Sequence, residues 1–474
     1  MSAMSNSLNY AQLKRKSVSA RNYRISMRSQ SGLKFNSNSS FSISLPQLSR
    51  SFLDANNMYL MFELSSATAL STAILDYSAY SIFSRITVSS GNGAVIEDCN
   101  YWNIYQTLLL QSQCSEEFHK GYGAECAGMA GRPGCPFGAN VPGSGTPTTI
   151  CIPLLTGLAT ANRLLPLDVA APLTFTFYID DYNKFLVRKN HAIALTDIEI
   201  STPRLVANVT ELSEGTNQLL ESSLGDLGMN INYTGLVSTV DVKQPGAGTH
   251  ISNLAFRNSS LNKITLVMQA QEAKGTAANK NFSISNRSSG KLQEISYFIA
   301  GSRMPQQKIS LVNGFAEVHT ENLLAGRVLM DPTHHSSLNY SHVETYPAGY
   351  AAGSVHLIPK NNKNFECEIG KHTQTGNLST EGATQFDLSH FNGNQYGTFY
   401  STYNFETFKS PTDDSGIFSG INCLGQTCQA ELVFAAQTNA DGQGNANVLD
   451  LYYYGEVDKI LSLDPLTRSF VVSD

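Results

Sequence analysis

The sequence predicts an all-β protein made of two tandem β-sandwiches with short helices and long inter-strand loops. Three observations lead there. Charged residues make up only 15% of the 474 residues, against roughly 25% in an average soluble chain; Ser, Thr, Asn, Gly and aromatics fill the deficit, as on a β-rich surface. Apolar residues recur mainly with period 2. One order of elements, strands, then a helix, then a long loop, then strands, occurs twice, although the copies share little residue identity. This composition excludes coiled coils and acidic solvating tails. No stretch reaches the roughly 18 apolar residues of a membrane-spanning helix, and the first 30 residues are polar and basic. Neither a transmembrane helix nor a secretory signal peptide is expected.

In the first series, Phe41, Ile43 and Leu45 alternate with Ser in FSISLP, and YLMFEL, Tyr59 to Leu64, continues the pattern. Ile86 and Val88 lead into Gly91-Asn92-Gly93, a hairpin turn tolerant of positive φ, and Val95-Ile96 starts the return strand. The period then changes. Tyr101, Ile104, Tyr105, Leu108 and Leu109 have the spacing of an amphipathic helix that Asp98 or Asn100 could cap. Residues 121 to 147, with eight glycines and four prolines, are expected to be a long irregular excursion. TTICIPLL, LTFTFYID and IALTDIEI then read as strands.

Around Glu211 to Gly228 the pattern breaks into a short helix-capable, glycine-containing segment. The expected organisation is therefore a basic arm over 1–35, a first sandwich over 36–212, a linker over 213–230 and a second sandwich over 231–474. The second series runs NYTGLVSTVDV, KITLVMQ, EISYFIAG and KISL, then a helix-like GFAEVHTENLLAG with Phe315, Val318 and Leu323 on one face. VHLIP, FECEIG, QFDLSHF, QAELVFAAQ, VLDLYYYGEV and RSFVVSD follow between polar connections. Tyr452, Tyr453 and Tyr454 read as the two faces of one strand, one in the core and one at an interface.

The net charge of −6 hides an asymmetry. Residues 1 to 53 hold eight basic residues and no acid, which leaves 24 basic against 38 acidic residues in the remainder. Lys14, Arg15, Lys16, Arg21, Arg24 and Arg28 form the candidate assembly arm, suited to phosphate, an anionic membrane face or an acidic neighbouring subunit. The eight cysteines contain no CxxC pair; Cys423 and Cys428 come nearest. Without a signal peptide, free thiols and no zinc are expected.

Catalytic signals are weak. Asp180-Asp181 and Asp413-Asp414 are neighbours that a strand would point to opposite faces. His334, His335 and His342 lack a carboxylate or thiol at a diagnostic spacing. The glycine-rich excursion forms neither GxGxxG nor GK[ST], and no serine stands in GxSxG. No catalytic, cofactor or metal site is assigned.

The segments FSISLPQLSRSFLDANNMYLMFEL, SIFSRITVSSGNGAVIEDCNYWNIYQTLL, LTFTFYID and IALTDIEISTPRLVANVTEL resemble the first domain of double jelly-roll major capsid proteins. YFIAGSRMPQQKISLVNGFAEVHTENLLAG is similar to the middle of the second. The likeness points to capsid proteins of virophages, Polinton-like viruses and adintoviruses, in the lineage of adenovirus hexon. It implies two eight-stranded jelly rolls side by side and three chains in a pseudo-hexagonal capsomer of an icosahedral double-stranded DNA virus. Its implied partners are neighbouring capsomers, penton and minor capsid proteins, with an internal membrane or the genome reached through the arm. The chain would be made in the host cytoplasm and reside in the virion. Phe137, Tyr346, Tyr350, Phe399 and Tyr400 are the candidate intersubunit loop tips. The competing class is a β-sandwich adhesin or carbohydrate-binding protein, whose aromatic tips would stay exposed to stack on sugars.

Overall fold

The computed structural model describes residues 20–68, 73–114, 116–129, 137–161, 163–168, 172–188, 195–218, 229–271, 283–285, 287, 289–290, 292–313, 316–325, 399–406, 420–435, 448–464 and 469–473. In chain order the first group of strands is β1 (Ala20–Arg28), β2 (Lys34–Phe35), β3 (Ser40–Leu45), β4 (Ser51–Ser66), β5 (Ala73–Asp76), β6 (Phe83–Ser90), β7 (Val95–Asn100), β8 (Phe137–Asn140), β9 (Thr148–Pro153), β10 (Leu165–Pro166), β11 (Leu173–Ile179), β12 (Leu186–Arg188) and β13 (Ile198–Leu212). The second group is β14 (Met229–Lys243), β15 (Gly248–Leu254), β16 (Leu261–Ala270), β17 (Leu292–Ile299), β18 (Ser302–Ser310), β19 (Ser401–Asn404), β20 (Cys428–Phe434), β21 (Leu449–Asp464) and β22 (Ser469–Ser473).

Each group makes a jelly roll. In the first, one sheet runs β1-β13-β4-β10, with β2 continuing the row of β1 and β9 that of β10; the facing sheet runs β3-β11-β6-β7. In the second, the sheets run β14-β21-β16-β19, with β22 also on β21, and β15-β20-β17-β18. Among the described residues both therefore have eight antiparallel strand rows in the same order. The topology repeats where residue identity does not. A helix falls at the same place in each roll: α1 (Trp102–Gln113) follows β7, and Ala316–Ala325 follows β18. No described sheet mixes strands from before and after the 213–228 connection. A small third sheet, β12-β5-β8, is added to the first roll.

Alternation builds the cores. Leu173, Phe175, Phe177 and Ile179 of β11 are buried between partly exposed threonines and Tyr178. Phe177 stacks on Phe41 with centroids 5.1 Å apart, and Phe83 meets Phe41, Phe62 and Phe177 edge-on. The 91–93 hairpin forms as expected, with Gly93 at φ 88°.

Several expectations need correction. Neither Asp98 nor Asn100 caps α1; Tyr101 precedes it in the left-handed region (φ 54°) without a side-chain cap, while Asp98 holds Arg85 in a two-pronged ion pair at 2.7 and 2.6 Å. Nor is α1 amphipathic in effect, because ten of its twelve residues are buried. In the helix Ala316–Ala325 the buried positions are Val318, Asn322 and Ala325, and Leu323 is only half-buried. Residues 121–147 are not wholly irregular. A helical turn runs through Gly123, and β8 pairs with β5. Gly138 permits this pairing, since a Cβ there would sit 2.8 Å from the Gly128 carbonyl oxygen and 2.9 Å from the Leu75 Cβ. The basic arm also ends earlier than expected: residues 20–28 are strand β1, paired along their whole length with β13. VHLIP, FECEIG, QFDLSHF, the histidines of 334–342 and Asp413-Asp414 lie outside the described residues.

Candidate assembly surface

The two jelly rolls meet through buried polar and aromatic contacts centred on α1. Tyr105 donates its hydroxyl to Glu456, and its ring meets that of Tyr454 at a 38° tilt with centroids 4.9 Å apart. The Tyr454 hydroxyl donates to the Tyr101 carbonyl at 3.0 Å, and the Tyr101 ring meets Tyr452 at 5.0 Å. Tyr453, facing the other way in β21, donates to Ser252 Oγ at 2.8 Å inside the second roll. The tyrosine triplet thus has one core face and one interface face, as its alternation predicts. That interface lies within the chain.

Farther along the junction, Asp76 at the end of β5 accepts from Ile284 N at 2.8 Å and Ser285 N at 3.3 Å, and from the Ser285 hydroxyl. Its burial raises the carboxyl to about 7, against the pull of those donors and of Arg287. Arg287, itself buried, donates to Gln111 of α1. Glu97 is likewise pushed up to about 7 by burial; it accepts from Leu158 N and lies near Lys459. Tyr233 donates to the Ile96 carbonyl at 2.9 Å, and Lys263 pairs with Glu456 at 2.9 Å. A cavity of about 230 Å³ remains between the rolls, lined among others by Glu97, Trp102, Tyr105 and Glu456.

The outer surface differs. Among the described residues β1 ends its sheet, and Arg21, Arg24 and Arg28 are exposed on it, while Tyr23, Ile25 and Met27 pack on the first core. Arg21 reaches over Tyr23, 6.0 Å from the ring centroid. The structure thus makes three of the six candidate arm residues the basic decoration of an edge strand; Lys14, Arg15 and Lys16 lie outside the described residues. Among the candidate loop tips, Phe399 and Tyr400 are corrected: both are buried within the single chain, at 0% and 8% exposure, so neither is a free tip. Asn322 donates to the Tyr400 carbonyl at 3.0 Å and accepts from Thr402 N. Phe137 lies in β8, its backbone paired with Asp76. Tyr346 and Tyr350 lie outside the described residues.

Sequence reasoning missed other apolar surface points. Ile251, Val312 and Val471 are more than half exposed. Ile251 carried a legible signal, since it stands out of phase with Ser252 and Leu254, which are buried in β15. The adjacent carboxylates serve the fold: Asp180 accepts from Asn103 at 3.0 Å and from Lys184 at 2.9 Å, and Asp181 caps the helix Tyr182–Phe185. Among the described residues no group of three or more His, Cys, Asp or Glu side chains could hold a metal ion.

Two jelly rolls of one topology, each with a helix at the same place, make this a double jelly-roll protein. No protein-family model and no curated protein matches the sequence. Solved structures do match the fold. VP54 of PBCV-1, fitted into a reconstruction of the virophage Sputnik, superposes with a TM-score of 0.55 at 9% identity, covering 98% of this chain and 99% of that one. The Faustovirus major capsid protein gives 0.53 at 9% identity over 95% and 92% of the two chains. The Sputnik virophage structure gives 0.52 at 13% identity over 97% and 89%. The chain therefore has, over nearly its full length, the double jelly-roll fold found in major capsid proteins.

Proposed function

We propose that this chain is the major structural protein of an icosahedral double-stranded DNA virus shell, that three copies close into a pseudo-hexagonal capsomer, and that it has no catalytic role. The observation that carries the reading is the joining of the two jelly rolls through the Tyr105–Tyr454–Glu456 and Asp76–Ser285 contacts. Two rigid walls per chain become six when three chains form a closed ring, and cyclic closure stops growth at that interface. The full-length fold match supports the same reading.

In this reading the protein is made in the host cytoplasm and resides in the virion. Neighbouring capsomers, penton and minor capsid proteins are its partners, and the basic N-terminal residues face the genome, an internal membrane or the next capsomer. The adhesin alternative is weakened at Phe399 and Tyr400, whose rings are buried where sugar stacking would need them exposed. Light scattering on the purified chain tests the proposal: a mass three times 51.5 kDa is expected, with no binding on a glycan array. A monomer that binds glycans would replace it with the adhesin reading.

A further inference from the structure

Cys423 and Cys428 lie outside the contacts described above. Ile421 bridges Leu261 in one sheet of the second roll, and the Cys423 N–H donates to the Asn258 carbonyl at 2.9 Å. Cys428 opens β20 in the opposite sheet, between Leu254 and Ile299. The segment between them therefore crosses from one sheet to the other. Both cysteines are buried, at 0% and 3% exposure, whereas the four residues between them are exposed, Leu424 by 58%. A turn with Gln426 N donating to the Cys423 carbonyl at 3.2 Å folds this excursion back. It brings the two thiols close enough to influence one another while both remain free, the Cys423 thiol donating to the Ile421 carbonyl at 3.9 Å.

We propose that Cys423 and Cys428 are an oxidation site, forming a disulfide that staples the crossover between the two sheets of the second jelly roll. Two buried thiols at the ends of one folded-back turn are placed to approach to the S–S bond length of about 2.05 Å. Their roles differ. Donation from the Cys428 thiol draws Cys423 below its ordinary value, and the same bond together with burial holds Cys428 above its own. Cys423 is therefore the attacking sulfur and Cys428 the resolving one. With hydrogen peroxide, the small oxidant able to pass an exposed four-residue loop, the Cys423 thiolate attacks one oxygen and breaks the O–O bond, giving a sulfenic acid and hydroxide. Cys428 loses its proton to that hydroxide, attacks the Cys423 sulfur and expels a second hydroxide, which takes up the proton Cys423 had lost. Two thiols and one peroxide become one disulfide and two waters, the sulfurs giving up two electrons.

The chemistry does not depend on the capsid reading, which the mass measurement tests separately. In a shell subunit the staple would set once the chain leaves a reducing compartment. Trypsin releases residues 410–459 as one peptide whose only cysteines are these two. Full-length protein treated with hydrogen peroxide, then alkylated under denaturing conditions, should yield that peptide two hydrogens lighter and unalkylated. Cys99, buried with its thiol raised and in no such pair, should stay alkylatable as the internal control. The oxidised protein should melt several degrees higher than the reduced. In C428S, Cys423 should instead accumulate sulfenic acid, trapped by a dimedone-type reagent. Alkylation of both cysteines on the same time course as Cys99, or Cys423 bridged to any other cysteine, would overturn the proposal without requiring any variant to fold.

Discussion

The Tyr454 hydroxyl reaches across the two jelly rolls to the carbonyl of Tyr101, 3.0 Å away, at the left-handed residue from which α1 starts. A strand near the C-terminus thus fixes the start of a helix 353 positions earlier. Farther along α1, Gln111 accepts from Arg287 of the second roll, while Asn103 and Gln106 are bonded to Asp180 and the Leu155 carbonyl of the first.

Removing that bond should be felt at the junction first. Y454F should cost about 1 kcal/mol, the net worth of one hydrogen bond. Y454A, which also empties a fully buried ring site, should cost about 3–5 kcal/mol. Denaturant unfolding followed by the fluorescence of Trp102, buried in α1, checks both values.

Asp76 and Glu97 make a pH prediction. Both carboxyls are raised to about 7, above their unfolded values, so the folded state holds its protons more tightly. Their contribution is fully present below about pH 4 and is lost as pH rises through about 7. Stability from these two groups should fall between pH 5 and pH 8, each contributing a slope of up to about 1.4 kcal/mol per pH unit. Melting temperatures of the wild type, D76N and E97Q at the two pH values decide it, since each variant should flatten the slope. D76A should cost a further 2–4 kcal/mol, roughly, by leaving two backbone N–H groups at Ile284 and Ser285 without their acceptor.

Asn322 serves β19 much as a neighbouring strand would, donating to Tyr400 and accepting from Thr402. N322A should destabilise the second roll by about 2–4 kcal/mol, while N322L, close in volume, should do no better, because the orphaned groups belong to the backbone. Hydrogen exchange at the Thr402 amide reports the loss directly.

Much of this was legible in the sequence, and the failures share a cause. Phe41, Ile43, Leu45 and the LTFTFYID run announced their strands because each packs on its own sheet's face, which local alternation records. The position of α1 was legible from its period, but its burial was not, because Tyr454 and Glu456 lie far away in sequence. Strand β1 was masked by its charge: Tyr23, Ile25 and Met27 alternate inward, yet the arginines between and around them read as a solvated arm. β8 was hidden by glycine, the residue its close approach to Gly128 requires. Phe399 and Tyr400 read as loop tips because the partners that bury them come from another element.

The corrected boundary of the arm changes how it should be truncated. Deleting residues 1–19 should leave folding and trimers intact while impairing assembly into shells. Deleting 1–30 should also destabilise the first roll, because it strips β1 from β13. R24E/R28E, on exposed positions of β1, should keep the melting temperature within a degree or two and yet lower the yield of closed shells, as counted by electron microscopy. Normal shells from the 1–19 deletion would make those residues a solvated tail.

In the proposed capsomer, two joined jelly rolls per chain build a six-walled unit. Negative-stain imaging of the purified protein tests it most directly, because it reads stoichiometry and shape together. Uniform particles with a pseudo-hexagonal outline are expected, each containing three chains of 51.5 kDa. Single elongated monomers across the micromolar range, with no hexagonal view, would contradict it.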